Sequence, residues 1–159
     1  DTRQVYVTGM SNGAMMAYRL ACELPERIRA IAPVAGSMGY EGLCAAQGVS
    51  LLHIHSKLDE HVPFAGGEGV AGNNFPPAIN GIKQWQELNN CIGEERNRLS
   101  AQLTLIHYRH CRSCAGVQLY ITHDGGHSWP GARQRRLRGD PVSDALAATD
   151  VIWDFFNGR

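Results

Sequence analysis

The sequence predicts a single α/β domain, spanning residues 1–159, built on a largely parallel sheet. Three observations predict it. Short apolar runs at Val5–Val7, Ile28–Val34 and Leu51–His55 are each closed by turn residues. A segment with helical spacing, Asn12 to Leu24, separates the first two. The length of 159 residues suits one core, and 43% hydrophobic against 19% charged is the balance of a folded chain. Apolar runs that alternate with helices build βαβ units, whose strands lie parallel.

The elements follow in order. Val5-Tyr6-Val7 is β-branched and aromatic and ends at Gly9. Within Asn12–Leu24, Met15, Met16, Leu20 and Leu24 recur close to the helical period. Pro25 stands just past that helix, where a proline is tolerated. Gly36 closes the second apolar run, and Leu51-Leu52-His53-Ile54-His55 is the third. Gly, Asn and Pro crowd the stretch Ala65 to Pro77, a loop long enough to carry function. Pro77 then opens a helix with Ile79, Ile82, Trp85 and Leu88 on one side, ended by Asn89-Asn90. Leu103–Tyr108 and Val117–Thr122 read as two more strands, joined by a turn that carries cysteines. Arg133 to Arg138 is a basic surface loop. The last helix covers Asp144 to Phe156, with Ala148, Val151, Ile152, Phe155 and Phe156 toward the core. The chain has no repeat, low-complexity tract or linker.

Composition narrows the function. Lys+Arg and Asp+Glu are 15 each, so the basic excess of a nucleic-acid binder is missing. No run approaches the roughly 20 apolar residues that span a bilayer, and a soluble chain without a membrane partner is expected. Asp1-Thr2-Arg3-Gln4 leads straight into the first strand. Either a leader was removed or the chain begins inside a larger product. The five cysteines, Cys22, Cys44, Cys91, Cys111 and Cys114, fit an oxidising compartment. Their odd number leaves at least one free or paired with another chain. Cys111-Arg-Ser-Cys114, with His107 and His110 just before it, has a zinc or redox spacing. No second ligand pair follows, so a disulfide arm and a spare thiol is the reading taken.

The chemistry centres on Gly9-Met10-Ser11-Asn12-Gly13, a G-x-S-x-G between a strand and a helix. So tight a turn admits only small residues two positions either side of the serine. It pushes the hydroxyl out at the carboxyl end of the sheet, beside a helix N-terminus that stabilises negative charge. The competing reading is a glycine-rich turn with a serine N-cap. A serine nucleophile needs a base. His127, in Gly125-Gly126-His127-Ser128-Trp129-Pro130-Gly131, follows the strand Val117–Thr122. Asp59 follows the strand of Leu51–His55 and would orient that imidazole and stabilise its charged form. The order Ser, Asp, His is the one found in α/β-hydrolases. His61 is the rival base, two residues from Asp59, and Asp124 and Glu60 are the rival acids. His53 and His55 share one face of their strand, where hydrogen bonding outweighs metal binding.

These segments resemble the polyhydroxybutyrate depolymerase and feruloyl esterase group of α/β-hydrolases. The resemblance runs through Val5–Met16, Ala32-Pro33-Val34-Ala35-Gly36, His53-Ile54-His55 with Asp59-Glu60-His61-Val62-Pro63, the His127 loop, and Ile152-Trp153-Asp154-Phe155-Phe156. It implies an α/β-hydrolase core, Ser11 as nucleophile, Asp59 as acid and His127 as base. It also implies a secreted or periplasmic esterase that uses no metal and no cofactor. Cys91 with Cys111, and Cys22 with Cys44, are the disulfides it implies, with Cys114 left over. Two departures stand out. Ser56 sits where the group has glycine. The group also has strands before the elbow, one of which leads to a second oxyanion donor; here only the Asn12 backbone N–H is in place as a donor. The expected fold is therefore an N-terminally truncated core whose open sheet edge invites a homodimer. Its expected partner is a small or polymeric ester: polyhydroxyalkanoate, feruloyl, acetyl-xylan or short-chain. Trp129 and the loops Ala65–Pro77 and Arg133–Arg138 are expected to line the substrate pocket. The competing classes are a non-catalytic binding module on the same fold and a hydrolase of amides or thioesters.

Overall fold

The computed structural model describes residues 4–133 and 139–158; most of the basic loop Arg133–Arg138 lies outside the described residues. Three parallel strands come first, β1 (Val5–Met10), β2 (Ile28–Val34) and β3 (Ser50–Ser56), with α1 (Asn12–Glu23) between the first two. A two-stranded hairpin, β4 (Gly67–Glu68) and β5 (Asn74–Phe75), precedes α2 (Ala78–Leu88). Then come β6 (Gly93–Ser100), β7 (Leu103–Arg109), β8 (Val117–Thr122) and α3 (Ala148–Phe156). The main sheet has six strands in the order β1-β2-β3-β8-β7-β6. β1, β2, β3 and β8 run parallel, and β7 and β6 complete the sheet antiparallel. The fold is α/β with a mostly parallel sheet.

The apolar runs explain the layers. β2 and β3 are buried on both faces, as central parallel strands require. Ile31 and Leu51 point into a core shared with Ala17, Tyr18, Ile82 and Trp85 of α1 and α2. Their neighbours Ala32 and Leu52 point the other way, against Ala148 and Ile152 of α3. The Trp85 indole donates to the Val49 carbonyl at 2.9 Å, pinning α2 to the start of β3. Disulfides Cys22–Cys44 and Cys91–Cys111 fasten the ends of α1 and α2 to the loops beside them. Cys114 is free and exposed. Cys111 is thus committed to Cys91, and the C-x-x-C is not a redox or zinc pair.

Three elements differ from expectation. The stretch Ala65–Pro77 holds the small hairpin rather than only loop. β6, Gly-Glu-Glu-Arg-Asn-Arg-Leu-Ser, has no apolar alternation and is exposed along its length. It is a strand because β7 pairs with it, and its charges discourage any further strand from adding. α3 begins at Ala148 rather than Asp144, because the segment before it bonds to the histidine loop instead. Gly131 N–H donates to Ser143 O at 2.8 Å and Ala148 N–H to Pro130 O at 3.1 Å.

The turn from β1 into α1 sets Ser11 at φ 56°, ψ −119°. Its N–H donates to Val34 O at 3.0 Å, so β2 fixes the turn from the side. A Cβ at Gly9 would lie 2.8 Å from the Gly13 carbonyl carbon, against rigid backbone. A Cβ at Gly13 would meet nothing within 4 Å. The demand for small residues on both sides of the serine therefore holds at Gly9 only. Gly9→Ala should lose about 1–3 kcal/mol in urea unfolding, while Gly13→Ala should stay within about 0.5 kcal/mol of wild type. Equal losses at the two positions would show that the asymmetry is not real.

Candidate active site

Ser11, Asp59 and His127 each follow the carboxyl end of a parallel strand: β1, β3 and β8. That rim is where open α/β sheets gather functional groups. β8 lies directly beside β3, so the loops carrying Asp59 and His127 rise next to each other. Their side chains meet: His127 Nδ1 is 2.8 Å from Asp59 Oδ2. The Asp59 side chain is fully buried and that of His127 is 14% exposed.

Asp59 is ringed by donors. The backbone N–H groups of His61 and Val62 both donate to Oδ1 at 2.9 Å. His55 Nε2 stands 3.4 Å from Oδ2, which also takes the His127 bond. Burial by itself pushes this carboxyl up. The hydrogen bonds from His127, His55 and Val62 N–H, with the His127 charge, outweigh it and hold the group well below the usual carboxylate range. Asp59 is therefore an anion at neutral pH.

The rivals take other places. His61 reaches Asp59 through its backbone N–H only. Its ring lies against that of His127, centroids 5.0 Å apart, and its Nε2 is 3.6 Å from Asp140 Oδ1. Glu60 is exposed. The Asp124 carboxylate accepts from the Ser143 hydroxyl at 2.7 Å, a structural bond rather than the solvated turn expected. All four ring nitrogens of His53 and His55 are engaged by Tyr18, by each other and by the Val62 carbonyl.

Two residues of the site were missed by sequence reasoning. Asp140 Oδ2 accepts from the His127 backbone N–H at 2.7 Å and so helps to set the His127 loop. Ser56, noticed only as a departure from glycine, clamps the Asp59 turn to the His127 loop. Its Oγ accepts from Leu58 N–H at 3.0 Å and lies 3.1 Å from both the Asp124 and Gly125 carbonyls. A serine ending a strand two residues before a turn was the available signal for it. Nothing local marks Asp140.

Ser11 heads α1 as its N-cap, yet its side chain makes no cap hydrogen bond. The plain N-cap reading therefore does not describe it. Among the described residues the Ser11 hydroxyl makes no hydrogen bond with His127 either. β1 and β8 are three strand spacings apart, about 14 Å at the sheet, so only the loop after β8 can bridge them. Asn12 begins α1 and borders a cleft of about 510 Å³ lined by Met15, Met16, Arg19, Tyr40 and Glu41. A second groove, about 550 Å³, lies beside Asp59 and is lined in part by Glu68, Gly69 and Val70. Glu68, Gly69 and Val70 belong to the stretch Ala65–Pro77. The Trp129 indole donates to Thr149 Oγ1 at 3.1 Å and packs on the α3 side of the core.

No protein-family model matches the chain. It is 29% identical over 137 residues to feruloyl esterase B of Piromyces equi, covering 80% of this chain and 25% of that protein. It is 30% identical over 161 residues to a bifunctional acetylxylan esterase/xylanase of Neocallimastix patriciarum, covering 98% of this chain and 20% of that protein. It is 26% identical over 159 residues to a probable feruloyl esterase C of Aspergillus clavatus, covering 98% and 50%. The chain therefore spans between a fifth and a half of the length of these curated relatives. An acetyl xylan esterase from Aspergillus awamori shares the fold, at TM-score 0.55 and 16% identity over 98% of this chain and 61% of that one.

The depressed carboxyl has a pH signature. Its folded value lies below the ordinary 3.8. Its contribution to stability is complete above the ordinary value and is lost as pH falls toward the folded one. Between about pH 5 and pH 2, urea unfolding should lose stability more steeply in wild type than in Asp59→Asn. Parallel curves would show that Asp59 is not held as an anion by the fold.

Proposed function

We propose that this chain is the core of a serine esterase, with Ser11 as nucleophile, His127 as general base and Asp59 as the acid that orients it. The 2.8 Å contact between Asp59 Oδ2 and His127 Nδ1 carries the reading. A carboxylate only accepts, so Nδ1 holds the proton and Nε2 is left bare to take one. Ser11 Oγ attacks the ester carbonyl as its proton passes to His127 Nε2. The tetrahedral intermediate expels the alcohol, which leaves with that proton, and the acyl group stays on Ser11. Water then gives a proton to Nε2 and attacks the acyl-enzyme, and the carboxylic acid departs as the proton returns to Oγ.

The Asn12 N–H is assigned as one oxyanion donor. A second donor of this kind is worth about 10²–10³ in rate, so turnover by this chain alone measures whether it holds both. The names of the relatives favour feruloyl or acetyl esters over polyhydroxyalkanoate. Trp129, braced by Thr149, is assigned to the acyl or leaving-group pocket. The reading needs no metal and no cofactor. Two disulfides support an oxidising compartment, hence a secreted or periplasmic chain. Among the described residues the Ser11 hydroxyl makes no cap bond and no bond with His127, which favours one second reading, a binding module on the same fold.

With p-nitrophenyl acetate, Ser11→Ala should lose at least about 10³-fold in turnover, and a phosphonate should label Ser11 in the wild type. Unchanged turnover in that variant removes the assignment. A folded wild type with no turnover selects the binding module, and faster turnover of amides or thioesters redirects the substrate class.

Among the described residues β1 pairs with β2 alone, and that edge is where the homodimer is proposed. β6, at the other edge, carries Glu94, Glu95, Arg96 and Arg98, whereas β1 offers Val5, Tyr6, Val7 and Thr8. Sedimentation velocity should give a dimer that Val5→Lys dissociates. A wild-type monomer at high concentration would discard this pairing.

A further inference from the structure

Behind the Asp59–His127 pair lies a buried line of polar side chains that the proposed mechanism does not use. Tyr18 Oη is 2.8 Å from His53 Nδ1. His53 Nε2 is 3.0 Å from His55 Nδ1. His55 Nε2 is 2.8 Å from the Val62 carbonyl and 3.4 Å from Asp59 Oδ2. Tyr18 and His53 are 0% exposed and His55 is 1% exposed. Three polar groups in an apolar core need a reason, since any one left unpaired would cost the fold.

The acceptors fix the direction of every bond. The Val62 carbonyl can only accept, so His55 Nε2 carries a hydrogen. With that hydrogen on Nε2, His55 is taken to accept at Nδ1, and His53 then donates from Nε2. His53 Nδ1 in turn accepts, and the Tyr18 hydroxyl donates. Burial pushes His53 far toward its neutral form, which this arrangement requires. Burial likewise raises Tyr18, keeping its proton in place. The line therefore has one direction, and it ends as a donor between Val62 O and the Asp59 carboxylate.

Its two ends sit on different parts of the proposed site. Tyr18 belongs to α1, two turns along the helix that Ser11 heads. Val62 and Asp59 belong to the loop after β3. We infer that Tyr18, His53 and His55 are positioning residues: a one-way hydrogen-bond line that holds the Asp59 carboxylate toward His127 and ties the acid loop to the helix of Ser11. The inference rests on the reading of Ser11, Asp59 and His127 given above.

Removing the Tyr18 hydroxyl tests it with little change of shape. Without that donor, His53 Nδ1 is left as a buried acceptor with its Tyr18 partner gone. The line then loses its anchor on α1, and His55 is held less firmly between Val62 O and Asp59. Tyr18→Phe should lower kcat by about tenfold to a hundredfold with KM within about twofold. His55→Leu should do the same, and His55→Gln, which keeps a donor near the Nε2 position, should recover part of the loss. Ile31→Val, a methyl removed from the same core, should leave kcat unchanged on folded protein.

Nitrogen-15 NMR of the histidine rings gives a readout independent of turnover. Wild type should show His53 and His55 as neutral Nε2–H tautomers. The His127 Nδ1–H resonance should shift or broaden in Tyr18→Phe and not in Ile31→Val. An unmoved His127 resonance, or a wild-type His55 with its proton on Nδ1, overturns the inference. A wild type that turns over no ester, yet whose His127 resonance responds to Tyr18→Phe, fails as an esterase while the positioning line stands.

Discussion

A buried carboxylate must be surrounded by hydrogen-bond donors, and the rim of this sheet is built around meeting that demand at Asp59. Two backbone N–H groups come from its own turn, at His61 and Val62. One imidazole comes from the loop after β8 and another from β3 itself. The demand fixes the turn, because Oδ1 can face both N–H groups only if the chain wraps back at once. It also fixes the loop after β8, because Oδ2 is then left pointing at His127. If the carboxylate were removed, the imidazole would lose the partner that sets its tautomer.

The strand order determines which partners are within reach. β8 lies between β3 and β7, so the last parallel strand delivers its loop beside Asp59 and not beside Ser11. That loop is held on three sides. Ser56 bonds it from the end of β3. The segment after the basic loop bonds it through Asp140, Pro141 and Ser143. Trp129 reaches across to Thr149 on α3. The late start of α3 follows from this, since residues 141–147 cannot be helical and also supply those bonds.

The sequence made the parallel half of the sheet legible and the antiparallel half less so. β2 and β3 are continuous apolar runs because both their faces are covered, and such runs announce themselves. β6 is exposed along its length and carries charges of both signs, so only its pairing with β7 makes it a strand. The same distinction holds at the site. Asp59 and His127 could be placed because each follows an apolar strand within a few residues. Ser56 and Asp140 could not, because each acts through contacts of long sequence separation, on carbonyls and an N–H that any residue type would present. His53 and His55 were legible as a pair on one face; that Tyr18 completes them depends on how α1 packs over β3. Gly13 shows the opposite error, a residue the motif demands and the packing around it does not.

Ser11 is the position where local preference and the fold disagree. A serine at the head of a helix ordinarily lowers the energy by capping an N–H. Here it makes no cap bond and sits at φ 56°, ψ −119°, a conformation of the kind that costs about 1–3 kcal/mol and persists only where the surroundings over-determine it. Those surroundings are the Val34 carbonyl on its N–H, Met15 N–H on its carbonyl, and Gly9 close beneath Gly13. Each acts on the backbone and none on the hydroxyl. A turn braced this firmly holds its conformation from outside, through the backbone contacts of β2, α1 and Gly9, and the serine side chain adds no cap bond to it.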